Sequence, residues 1–135
     1  MASIFTKIIN GEIPCYKVAE TDDFLAFLDI RPLAKGHTLC IPKKEVDYIF
    51  ELDDETYSGL NLFTKKVAKA LETNIECKRV GVLVIGTEVP HAHIHLIPFK
   101  QEVQMSILSP KVEITSKEMA DLAAEVKATF DKNSK

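Results

Sequence analysis

No apolar run in the chain approaches the ~18–20 residues that a membrane-spanning helix needs, so a membrane protein is not expected. The opening residues, Met1 to Lys7, show neither a basic flank ahead of an apolar stretch nor a small-residue cleavage site, which predicts a cytoplasmic protein. Cysteine is scarce as well. Cys15, Cys40 and Cys77 are odd in number, widely spaced and form no Cys-x-x-Cys pair, so they read as reduced thiols rather than a disulfide framework. An excess of charge is also missing: 17 basic and 20 acidic residues leave a net charge of −3. A nucleic-acid polymer would have to bind against that balance, although a small phosphate ligand at a local site is not excluded. With 46% hydrophobic and 27% charged residues, the composition excludes a disordered or fibrous chain. No repeat, linker or low-complexity segment interrupts the 135 residues, so a single domain over 1–135 is expected, with a frayed Lys-rich tail from about 132.

Histidine is rare too, but it is not scattered. Three of the four histidines lie in His91-Ala92-His93-Ile94-His95, and the fourth is His37.

The elements around them can be read from local signals. Ser3 can cap a short helix carrying Ile4, Phe5, Ile8 and Ile9, which Asn10-Gly11 ends. Strands are predicted over Tyr16–Glu20, Phe24–Asp29 and His37–Ile41. The clearest helix starts at Asp53 or Asp54 and runs to about Leu71, with Tyr57, Leu60, Phe63, Val67 and Leu71 as its apolar stripe. Val80–Ile85 is a nearly continuous apolar run and predicts a central strand buried on both faces. His91–Ile97 reads as the next strand, stopped by Pro98. Thr115-Ser116-Lys117-Glu118 is a capping box that opens a helix with Met119, Leu122, Val126 and Phe130 inward. Residues 100–114 carry little signal. Strands outnumber helices and connections are short, which implies an α+β fold with an antiparallel sheet of about five strands and two main helices.

Side chains on a strand alternate between faces, so His91, His93 and His95 are expected in a row on one face, ~7 Å apart. Histidine is not a favoured strand residue, and three stacked imidazoles gain little unless something binds there. Two chemistries fit. Imidazoles are common zinc ligands, and this row with His37 could hold a metal. Alternatively, a neutral imidazole attacks phosphorus while its neighbours bind phosphoryl oxygens and move protons. The residues alone leave both open.

The stretch His-Ala-His-Ile-His-Leu-Ile at 91–97 resembles the His-x-His-x-His-x-x signature of the histidine triad (HIT) family. Ile4 to Ile9 followed by Glu12-Ile13-Pro14 is similar to the family's N-terminal segment, and Phe27 to Pro32, His37 and Ile41 to Lys44 to its nucleotide-binding region. The resemblance implies a HIT-like fold joined across a homodimer. It also implies an enzyme that attacks the α-phosphate of purine nucleoside phosphoramidates or related mononucleotide conjugates, without a cofactor or catalytic metal. By matching position, His93 is the nucleophile, His95 and His37 assist at the phosphate, and His91 is the first member of the triad. Asp29 is the carboxylate that takes the ribose hydroxyls, and Ile4, Phe5, Ile8, Phe27 and Ile30 form the base pocket. A nucleotide-binding module with little turnover and a metal-dependent hydrolase are the alternative readings.

Two departures from the family pattern stand out. Some members hold structural zinc through a Cys-x-x-Cys and a histidine where this chain has Ser3, Thr6 and Glu45, so that site is expected to be absent. Ahead of the triad, Gly86-Thr87-Glu88-Val89-Pro90 is short, and Glu88 occupies the position of a Ser or Thr. A carboxylate there would repel an α-phosphate. Thr87 and the loop's backbone N–H groups are the candidate replacements.

Overall fold

The computed structural model describes residues 2–134. Five strands, β1 (Lys17–Glu20), β2 (Phe24–Leu28), β3 (Thr38–Pro42), β4 (Arg79–Leu83) and β5 (Ile94–Phe99), form one antiparallel sheet in the order β1-β2-β3-β5-β4. Helices α1 (Ile4–Ile9), α2 (Asp54–Asn74) and α3 (Ser116–Asn133) complete the fold, with short 3₁₀ turns at Ile49–Glu51 and Glu102–Met105.

Strand alternation divides the core in two. Ala26, Leu28, Cys40, Ile94 and Leu96 face the layer formed by α2 and α3, where Leu60, Phe63, Val67, Leu71, Met119, Leu122, Val126 and Phe130 are buried. Full burial of each large apolar side chain contributes roughly 1.5–3 kcal/mol. Leu25, Phe27, Leu39 and Ile41 face the other way and are covered by Phe5 of α1. His95 pairs with Leu39 across β3 and with Leu83 across β4, so the same alternation turns it away from the α2–α3 layer.

The helix starts follow their caps. Ser3, Asp53 and Thr115 each accept a backbone N–H from the first turn, and Thr115 with Glu118 closes a capping box. Helix α2 runs three residues past Leu71, and Tyr57 is partly exposed rather than inward. Helix α3 continues through Lys132 and Asn133, where fraying was expected; Lys135 lies outside the described residues.

Three expectations about the sheet need correction. Val80–Ile85 is not a central strand: β4 is at the sheet's edge, and Val82 is 62% exposed, with Val84 and Ile85 also exposed. An apolar run looks the same whether it is covered by its own chain or by another. The histidine strand starts only at Ile94, because the backbone N–H of Ala92 bonds to the Val46 carbonyl instead of a ladder partner. The strand also passes through Pro98 to Phe99. Strand β3 pairs with β5 only as far as Leu96, so Pro98 has a sheet neighbour on one side alone.

Candidate active site

His37 is set by a turn that only glycine can make. Gly36 has φ +89°, and a Cβ there would lie 2.1 Å from Ile75 Cδ1. Backbone bonds from His37 N–H to Ala34 (3.0 Å) and from Asp29 N–H to the His37 carbonyl (2.8 Å) tie the turn to the end of β2. His95 lies within β5, and His93 on the loop just before it. These elements bring three rings together: His93 and His95 have centroids 4.9 Å apart, and His95 and His37 5.2 Å.

His91 and His93 precede the strand, yet the expected same-face arrangement holds: Ala92, Ile94 and Leu96 are buried in the α2–α3 layer, while Phe5 packs against both His91 and His93, and His93 against His95. His91 is fully buried, with its Nε2 2.7 Å from the Pro42 carbonyl and its Nδ1 3.0 Å from the Ser3 hydroxyl.

Hydrogen bonds fix which nitrogen of each ring carries the proton. His93 Nδ1 lies 2.8 Å from the His91 carbonyl, which only accepts, so Nδ1–H donates and the neutral ring keeps its lone pair on Nε2. His37 Nδ1 accepts the Leu33 N–H at 3.0 Å, so its Nε2–H donates to His95 Nδ1 at 2.9 Å. His95 therefore carries its own proton on Nε2. Burial pushes both His37 and His95 down to about 4; Lys111 adds to the fall at His37, and His93 and His37 add to it at His95. Both rings are neutral at pH 7, one with a donor free and the other held to supply it.

A cavity of about 620 Å³ opens over His37, His93 and His95. Ile4, Phe5, Asp29 and Thr87 also line it, as does Glu88. Asp29 Oδ1 accepts the Arg31 N–H at 2.8 Å, and its Oδ2 lies 3.7 Å from His37 Nε2. Other residues expected in the base pocket sit elsewhere. Phe27 is buried behind Phe5, their centroids 5.6 Å apart, and Ile8 packs in the same cluster. Ile30 follows the turn at Asp29 and is 73% exposed, away from the cavity. The sequence reading missed Arg31, Ile107, Leu108 and Lys111, which also line the cavity. The segment carrying the last three has no periodicity, and it is brought over the site by the bond from Val112 N–H to the Pro32 carbonyl. Four formal charges line the cavity, Asp29 and Glu88 against Arg31 and Lys111, and they cancel.

The family model described as HIT domain matches residues 10–102. The chain belongs to the HIT family. The protein named adenosine 5′-monophosphoramidase hnt1 of Schizosaccharomyces pombe is 38% identical over 128 residues, covering 93% of this chain and 96% of that one. The adenosine 5′-monophosphoramidase HNT1 of Saccharomyces cerevisiae is 42% identical over 103 residues, covering 75% of this chain and 65% of that one. Among solved structures, a Hit-like protein from Bartonella henselae matches with a TM-score of 0.81 at 31% identity, over 94% of this chain and 95% of that one. The five-stranded antiparallel sheet with its helices is the HIT fold.

Against that family, the two departures seen in the sequence have definite places. Glu88 is among the residues that line the cavity. Ser3, Thr6 and Glu45, which stand where some HIT proteins carry zinc ligands, are joined by hydrogen bonds: Glu45 Oε1 accepts the Ser3 N–H at 2.7 Å and the Thr6 hydroxyl at 2.5 Å. Two hydroxyls replace the thiolates that zinc prefers, and one donates towards His91, so this set does not fit the metal. Among the described residues, Asp29, His37 and His95 also hold ligand atoms within 4.8 Å of one another. There, His37 Nε2 and His95 Nδ1 are already bonded to each other, and a cation would have to break that bond.

Proposed function

We propose that the chain is a HIT-type nucleotide hydrolase acting at the α-phosphate of purine nucleoside phosphoramidates or related mononucleotide conjugates. The observation that carries this reading is the pairing of opposite ring nitrogens over one cavity: a lone pair on His93 Nε2 beside a proton on His95 Nε2. The kinship with the two phosphoramidases supports the choice of substrate.

In the first step His93 Nε2 bonds to phosphorus and the bond to the leaving amine breaks. The His93 ring gains positive charge, which the His91 carbonyl stabilises through the Nδ1–H bond. The proton that the amine needs enters from solvent through His95 Nε2, whose orientation His37 holds. Water then attacks phosphorus, returns the lone pair to His93 and gives back a proton by the same route. Asp29 accepts hydrogen bonds from the ribose diol, Ile4 and Phe5 flank the base, and Thr87 and the loop N–H groups meet the phosphate. Turnover of adenosine 5′-phosphoramidate by purified protein, with and without chelator, tests the proposal. Chelator-resistant release of AMP is expected, whereas activity lost to chelator and restored by zinc would point to the Asp29–His37–His95 group as a metal site.

Glu88 favours a second reading, a nucleotide-binding module with slow turnover, because it lines the cavity proposed to take the phosphate, where a carboxylate would repel that group. If it restrains catalysis, Glu88→Ser raises kcat or lowers KM; an unchanged pair of constants removes it from the site. The exposed edge strand β4 supports assembly as a homodimer, with a second copy extending the sheet.

A further inference from the structure

We propose that Ser3, Thr6 and Glu45 are positioning residues, a polar clasp that locks helix α1 to His91 and thereby sets the reactive nitrogen of His93 and the base wall as one unit. The inference rests on the proposed role of His93 and adds residues that never touch the substrate.

The clasp is needed because α1 has only six residues, too few to hold a helix by its own hydrogen bonds. Its first turn is tied to two distant parts of the chain. The Ser3 backbone N–H donates to Glu45, 42 positions away, at 2.7 Å, and the Ser3 hydroxyl reaches His91, 88 positions away, at 3.0 Å.

The direction of each bond follows from what each group can do. His91 Nε2 faces the Pro42 carbonyl and must donate, so in the neutral ring Nδ1 must accept. Two hydroxyls are within reach of Nδ1, Ser3 at 3.0 Å and Thr6 at 3.5 Å. The Glu45 carboxylate accepts only, and it takes the Thr6 proton. The Ser3 hydroxyl is left as the donor to His91, while its oxygen accepts the Thr6 N–H as the helix cap at 3.1 Å. These bonds hold the Glu45 carboxyl down to about 2, so the acceptor is ionised throughout the neutral range.

With both nitrogens fixed, the buried His91 ring anchors its own backbone carbonyl, the group that accepts His93 Nδ1–H. The same helix places Phe5 edge-on against both rings, with centroids 5.8 Å from His91 and 5.1 Å from His93. Loosening the clasp thus frees the His91 carbonyl and the Phe5 wall together. Without a fixed acceptor, His93 can carry its proton on either nitrogen.

Long-range ¹H–¹⁵N spectra of the histidine rings in the full chain, without substrate, read the tautomers directly. The wild type is expected to show His93 protonated on Nδ1 and His91 on Nε2. Ser3→Ala and Glu45→Ala should both give mixed-tautomer signals at His93, although neither residue contacts it, and should lower kcat/KM for adenosine 5′-phosphoramidate about tenfold, the scale of one hydrogen bond. Ser3→Thr and Glu45→Gln, which keep the hydroxyl and an acceptor oxygen, should restore the single tautomer. Thr6→Val, which removes the Thr6 hydroxyl with its bond to Glu45 and its longer contacts to Ser3 and His91 but leaves Ser3 and Glu45 in place, serves as the milder variant should either alanine variant fail to fold. An unchanged His93 tautomer in the folded variants, or a change that the conservative replacements do not reverse, overturns the clasp. Since the spectra need no turnover, an inactive wild type would overturn the proposed activity while leaving this test intact.

Discussion

Asp29 shows how a single residue divides its work. One oxygen closes a turn by accepting the Arg31 N–H, and the other faces the cavity near His37. If that second oxygen grips the ribose diol, a ribonucleotide should bind more tightly than its 2′-deoxy analogue by roughly 1–3 kcal/mol, and Asp29→Ala should erase the difference. Calorimetric titration with AMP and dAMP measures both; equal losses for the two sugars would make Asp29 a turn residue only. The histidine cluster was partly legible in the sequence, since only four histidines exist and three share one short stretch. What the sequence could not reveal was the direction of each ring. His91 is turned into the core by partners 49 and 88 positions away, Pro42 and Ser3, and no local pattern encodes contacts that distant. Lys111 was invisible for the same reason.

Among the elements, those with local signals were legible to within a few residues. The caps at Ser3 and Thr115, the start of α2 at Asp53–Asp54 and its stripe from Leu60 to Leu71 depend on neighbours along the chain, and they appear as read, Tyr57 alone falling outside the buried stripe. Strand β4 was misplaced because its apolar residues do not say which chain covers them. Val82 is exposed on this edge strand, with Val84 and Ile85 exposed just beyond its end, an arrangement prone to pairing with another strand. A second copy adding its own β4 would cover Val82. Sedimentation at micromolar concentration should therefore give about twice the 15.1 kDa of one chain, and Val82→Lys should shift it towards the monomer. A wild type that sediments as a single chain would remove the shared sheet.

At the scale of the whole molecule, the site leaves a mark on stability. His37 and His95 are held near 4 in the fold, mainly by burial, and His91 is lowered in the same direction, whereas an unfolded histidine titrates near 6.5. Above pH 6.5 these rings are neutral in both states, and their contribution to stability is complete. As pH falls towards 4, the unfolded chain binds protons that the fold refuses, so stability should drop by on the order of a few kcal/mol before most carboxylates titrate. Urea midpoints at pH 7.5, 6 and 5 measure this. A flat profile would mean that the rings are solvated.

All three scales meet at His93, which joins a fixed tautomer to a cavity lined by a donor histidine. The most direct measurement is rapid quenching of the enzyme with a ³²P-labelled purine nucleoside phosphoramidate, followed by mapping of the label. The expected result is an acid-labile, alkali-stable nucleotidyl group on His93, absent in His93→Ala even though that variant still binds AMP, and unaffected by chelator. Turnover without any labelled protein, or label on another residue, would contradict nucleophilic catalysis by His93.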